Sequence, residues 1–145
     1  MMNRFFAGFT FIAIAGAALA QNTPVGKWHS IDDKTKEVKS EITITEVGGV
    51  LTGKVSKVLR KDAKADAVCD ECKDARKGQP IVGLEIIRGG KKDEGADVWS
   101  GGKILDPENG KEYTLKLTPE DGGKKLAVRG SIGPFGRTQT WTRVQ

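Results

Sequence analysis

Trp99-Ser-Gly-Gly-Lys-Ile-Leu-Asp-Pro-Glu-Asn-Gly-Lys-Glu-Tyr113 reads as two strands joined by a turn. Pro107 presets φ, and Asn109-Gly110 tolerates the positive φ of a tight reversal. Beyond the turn, Tyr113, Leu115 and Leu117 alternate with polar residues, so the outgoing strand has one apolar face. Residues 98–105 and 111–118 therefore form an antiparallel pair. The stretch is rich in architecture and poor in chemistry, and the rest of the chain repeats that balance.

Upstream, residues 37–47 place Val38, Ile42 and Ile44 on one face and Lys39, Glu41, Thr43 and Thr45 on the other. Gly48-Gly49 marks a hairpin, and 50–59 returns with Leu51, Gly53 and Val55 inward. A short strand, 28–31, follows Gly26. After a polar segment at 60–80, residues 81–88 read as a strand with Val82, Leu84 and Ile86 on one face, and 89–95 as a charged turn. Downstream, Gly122-Gly123 leads into 125–132, and Gly133-Pro134 into 135–144. No segment carries a sustained helical period. Eight such strands predict an all-β, single-domain, antiparallel up-and-down barrel, because closure removes the exposed edges of an open sheet. An open sandwich is the rival architecture. A barrel of this size is filled by side chains or holds one small ligand.

Residues 1–20 stand apart from the fold as a signal peptide. Arg4 is a positive n-region, 5–17 an apolar run, and Ala18-Leu19-Ala20 an A-x-A cleavage site. The run is too short to span a bilayer well. Cleavage after Ala20 predicts a periplasmic or secreted protein whose single domain spans 21–145. That domain has no further long apolar stretch, so no stable membrane insertion is expected. About 125 residues suffice for one core. Loss of Arg4 takes the formal charge from +5 to +4, and the remaining charges are mixed in sign along the chain. Such scatter argues against nucleic acid as a partner.

Gly26-x-Trp28, Cys69-x-x-Cys72, the 99–113 stretch, Arg129-Gly-x-Ile-Gly133 and Gly136-Arg-Thr-Gln-Thr-Trp-x-Arg143 resemble an exported bacterial family. It is the one called domain of unknown function 2147, and the resemblance covers essentially all of 21–145. The resemblance implies a lipocalin-like or calycin-like barrel and brings no established activity. In lipocalins the Trp of Gly-x-Trp packs at the closed base beneath an Arg of the last strand. Structural roles follow for Gly26, Trp28 and Arg143, with Arg137 as the other candidate for the Arg. A guanidinium over an indole adds roughly 0.5–2 kcal/mol. The chain is shorter than the usual lipocalin and closer in size to a compact barrel of the streptavidin kind.

Cys69-Asp-Glu-Cys72 is the loudest chemical motif. In an oxidising compartment the pair is expected as a disulfide, worth roughly 2 kcal/mol for so short a loop. A redox pair and a metal site are the alternatives. The acidic Asp70 and Glu71 between the sulfurs disfavour a thiolate, and a zinc site lacks a second ligand pair. His29, the only histidine, follows Trp28 in a strand and so faces the opposite side. Asp and Glu are plentiful but no pair stands out, and no G-x-S-x-G elbow is present. Neither an enzyme nor a cofactor is expected.

The aromatics Trp28, Trp99, Tyr113, Phe135 and Trp141 fit a core, or in part a pocket. In the last strand Arg137, Gln139, Trp141 and Arg143 share one face, and Thr138, Thr140 and Thr142 the other. Threonines suit solvent, which turns Arg137 and Gln139 inward; the opposite parity is the alternative. A buried Arg needs an internal carboxylate or an anionic ligand. The expectation is a non-enzymatic protein, monomeric by default, that binds a small hydrophobic or amphipathic molecule, with room for an anionic group. The candidate ligand contacts are Trp99, Tyr113, Arg137, Gln139 and Trp141. The alternative is a cell-envelope module with a filled barrel that engages protein or glycan.

Overall fold

Each strand pairs antiparallel with the next in the computed structural model, which describes residues 22–145. The leader at 1–20 and its cleavage after Ala20 lie outside the described residues. The strands are β1 (Gly26–Ile31), β2 (Val38–Val47), β3 (Val50–Val58), β4 (Glu85–Lys92), β5 (Trp99–Leu105), β6 (Glu112–Glu120), β7 (Lys125–Ile132) and β8 (Phe135–Arg143). They close in sequence order into one barrel, as the alternating pattern predicts, so the sandwich alternative is not adopted. A short 3₁₀ turn, Asp121–Gly123, joins β6 to β7.

Meander order sorts the connections to two ends. The mouth carries the turns 32–37, 106–111 and 133–134 and the long excursion 59–84. The base carries the segment 22–25 and the turns 48–49, 93–98 and 121–124. Alternation sends Trp28, Ile42, Ile44, Leu51, Val55, Ile87, Leu115, Leu117, Leu126, Val128 and Trp141 into one buried core. His29, neighbour to the buried Trp28, pairs with Glu41 and Thr142 across the sheet.

The fourth strand is displaced from its expected place. The predicted strand 81–88 begins only at Glu85, and Gly89, Gly90, Lys91 and Lys92, read as part of a turn, belong to it. Gly83, at φ 91°, breaks the apparent alternation, and Val82 is half exposed. Ile86 is an extra residue at a bulge, so Ile86 and Ile87 are both buried. Alternation alone cannot reveal such a bulge. Tight approach of β4 to β5 also requires Gly102, where a Cβ would overlap the Arg88 carbonyl oxygen.

Candidate functional site

The base is closed by a clasp. Trp28 is fully buried, and its Nε1–H donates to the Pro24 carbonyl at 2.8 Å. The Arg143 guanidinium lies 4.2 Å from the centre of the Trp28 ring. It also donates to the carbonyls of Gly123 (2.6 Å), Val25 (2.8 Å) and Thr23 (2.7 Å). Arg143, rather than Arg137, therefore fills the place that the Gly-x-Trp resemblance implies. Gly26 admits it, since a Cβ there would overlap the guanidinium.

The mouth is partly covered by the excursion 59–84. Cys69 and Cys72 form the expected disulfide, and both cysteines are buried in the core cluster. The bridge thus contributes to the buried core as well as closing its own loop. Gly110 of the β5–β6 turn, at φ 72°, packs so closely on this loop that a Cβ would overlap the Glu71 carbonyl oxygen. Arg76, 3% exposed, is the loop's anchor and carried no signal beyond its Asp74-x-Arg76 spacing. It donates to Asp74 Oδ2 (2.6 Å), Glu112 Oε1 (3.0 Å) and the Glu85 carbonyl (2.9 Å). The Arg76 hydrogen bonds hold the Asp74 carboxyl at about 2, below its ordinary 3.8.

Ion pairs tie the rim together. Glu108 of the β5–β6 turn pairs with Lys39 at 3.4 Å and with Arg60, which lies 3.6 Å from Asp32. Asp32 caps its own turn, accepting from the backbone N–H of Lys34 and Thr35 at 2.8 and 3.0 Å. Those backbone hydrogen bonds, with Arg60 nearby, hold its carboxyl below the usual range.

One side of the mouth is less bound. The β1–β8 ladder has two residue pairs, Trp28 with Arg143 and His29 with Thr142. Toward the mouth, Asp33 bridges the seam by side chain: its Oδ2 pairs with Arg137 and accepts from Gln139 Nε2 at 3.5 Å. Register continues without a shift from Trp141 to Phe135, so Gln139, Arg137 and Phe135 share the inward face of buried Trp141. Arg137 and Gln139 thus have the parity of Trp141, but the expected burial of Arg137 is not found: its side chain is 67% exposed at the mouth and its carboxylate partner, Asp33, is a partly exposed turn residue. On β1 and β2 the same sector holds Ser30, 7% exposed, hydrogen-bonded to Ser40 Oγ at 2.6 Å. Neither serine nor Asp33 was singled out from the sequence, because turn and strand-end polar residues carry no periodic signal.

The five candidate ligand contacts divide between the two ends. Trp99 starts β5 at the base, is buried in the core and lies 6.0 Å from the Lys92 ammonium. Tyr113 is the second residue of β6, at the mouth, where its hydroxyl accepts from Asn109 Nδ2 at 3.0 Å. Tyr113 overlies Gly130, whose absent side chain would meet it at 3.0 Å, and Gly130 pairs with Arg137 on β8. Tyr113, Arg137 and Gln139 thus frame one sector of the mouth, rimmed by the exposed pair Ile132 and Phe135. Trp141 lies deeper on that face, buried, and its Nε1–H has no acceptor among the described residues.

Two surface clefts, of about 360 and 380 Å³, flank the excursion; the candidate contacts line neither. The first runs along Lys73, Asp74, Arg76 and Glu112, the second along Lys57, Leu59, Arg60, Ile81 and Val82. Among the described residues no group of three or more His, Cys, Asp or Glu is arranged to hold a metal. No helix among them is long and apolar enough to cross a membrane.

Residues 26–143 match the family described as "Uncharacterized protein conserved in bacteria (DUF2147)", and the chain belongs to that family. A solved structure with a similar fold is described as "Protein HP1028 from the human pathogen Helicobacter pylori belongs to the lipocalin family". The two are 19% identical and superpose with a TM-score of 0.70, over 83% of this chain and 82% of that one. The likeness establishes a lipocalin-like fold. No curated protein matches the chain.

Proposed function

We propose that this DUF2147 barrel is an exported, non-enzymatic protein that binds a small, partly apolar molecule at its mouth, between Tyr113, Gln139, Arg137 and the Ile132–Phe135 rim. The observation that carries the reading is the buried Trp141 Nε1–H without an acceptor, below Gln139 on the inward face of β8. A buried unpaired donor costs about 1–3 kcal/mol, a cost that an acceptor on a bound molecule would remove. The packed base leaves no reason to expect a deep cup: a Cβ on Gly53 would lie 2.8 Å from Ile87, and one on Gly90 3.4 Å from Leu51. The ligand is therefore small. Bacterial membership and a buried disulfide support export.

The test is a fluorescence titration of the protein with a panel of small amphipathic metabolites, run beside Trp141→Phe. Saturable quenching that disappears in the variant is expected. Flat titrations together with no co-purified small molecule overturn the reading.

A second reading has its own observation. Phe135 and Ile132, 78% and 51% exposed, form an apolar cross-strand pair at the tip of the β7–β8 hairpin. That pair suits an envelope protein or glycan partner. Cross-linking that recovers a specific partner, lost in Phe135→Asp but retained in Trp141→Phe, selects this reading over the first.

A further inference from the structure

We infer that Asp33 occupies a carboxylate seat that belongs to the ligand: Arg137 and Gln139 form the seat, and a small molecule bearing a carboxylate exchanges with Asp33 for it. The inference rests on the small-molecule reading above and names the chemical class.

The two adjacent aspartates of the β1–β2 turn do different work. Asp32 Oδ1 accepts from the backbone of Lys34 and Thr35, so Asp32 holds the turn in shape. Asp33 takes no part in that capping. Its hydrogen bonds go across the seam to the side chains of Arg137 and Gln139, both to Oδ2. Asp33 can therefore turn away without undoing the turn that carries it.

What Asp33 would give up is small. The Arg137 side chain is 67% exposed and that of Asp33 34%, and ion pairs with such access to water contribute little. Water is also at hand to solvate Asp33 once it leaves. The β1–β8 ladder stops at His29 and Thr142, so among the described residues no backbone pairing of β1 with β8 shuts the seam at this level.

What the incoming group gains is geometric. A guanidinium presents paired donors that match a carboxylate, and Gln139 adds an amide N–H from the same strand face. The apolar body of such a molecule meets Tyr113 and the Phe135–Ile132 pair. A carboxylate is favoured over other anions because the present occupant is one, seated on this same pair of side chains.

Decanoate and decanol, matched in chain and different in head group, are the probes, with binding read by calorimetry and tryptophan fluorescence at neutral pH. Wild type is expected to prefer decanoate. Asp33→Asn, which removes the resident anion, should raise decanoate affinity about tenfold and move decanol by less than about twofold. Arg137→Gln should erase the preference for decanoate. If Asp33→Asn leaves the decanoate-to-decanol ratio unchanged, the seat is wrong while small-molecule binding stands. If neither probe binds wild type or Asp33→Asn, both the seat and the binding reading fall. Asp33→Ala serves as a second variant; if both variants unfold, Asp33 is a structural tie and the exchange is refuted.

Discussion

Arg143 lies 4.2 Å from the centre of the Trp28 ring while donating to three backbone carbonyls of neighbouring segments. One side chain thus joins β8, the residues ahead of β1 and the β6–β7 turn. Burial also pushes its guanidinium down from its ordinary value. Arg143→Met should lower unfolding free energy by about 2–4 kcal/mol, through the lost ring contact and the orphaned carbonyls. Urea denaturation measures it; a change below about 1 kcal/mol would show that the clasp is ornamental.

Two tryptophans in the same core should respond in opposite ways. Trp28→Phe strands the Pro24 carbonyl and is expected to cost about 2–3 kcal/mol. Trp141→Phe removes a donor that has no partner, which offsets the lost volume, so its expected cost is within about 1 kcal/mol. Equal costs in matched denaturation curves would refute the contrast.

Loss of the disulfide should be felt beyond its own loop. Cys69→Ser with Cys72→Ser is expected to destabilise by about 2–4 kcal/mol, since the cysteines sit in the shared core. Hydrogen exchange should quicken most at residues 69–79, where the Cys69 N–H donates to the Gln79 carbonyl and the Gly78 N–H to the Cys69 carbonyl. Uniform quickening over the barrel would place the effect elsewhere.

Acid should release the loop in a defined window. The Asp74 carboxyl is held at about 2 in the fold, against an ordinary 3.8, chiefly by hydrogen bonds from Arg76. A depressed carboxylate stabilises the fold above its unfolded value, and that contribution fades as pH falls from about 4 toward about 2. Stability measured over this range should slope less steeply in Asp74→Asn than in wild type. Parallel slopes would remove Asp74 from the account.

Alternation made most of this barrel legible, because a closed sheet with one buried face leaves a period of two in every strand. Val38–Val47 and Lys125–Ile132 fall where their apolar residues place them. Glu85–Lys92 does not, since Val82 and Leu84 continue the pattern through a turn while Gly89 and Gly90 resemble one inside the strand. On β8 the shared face of Arg137, Gln139 and Trp141 was legible from the threonines opposite them, although the exposure of Arg137 was not. Asp33 and Arg76 were not, for each owes its importance to a partner brought near only by closure or by the long excursion.

The shortness of the β1–β8 ladder has a kinetic meaning. Seven ladders join strands adjacent in sequence, whereas closure brings Arg143 to Val25 across 118 residues. Local hairpins can assemble first, and the distant contact must wait for them. The clasp is then absent from the folding transition state. In a chevron analysis Arg143→Met should speed unfolding and leave the refolding arm in place; an equal slowing of refolding would refute this order. How long the barrel lasts once formed, rather than how fast it forms, is decided at its base.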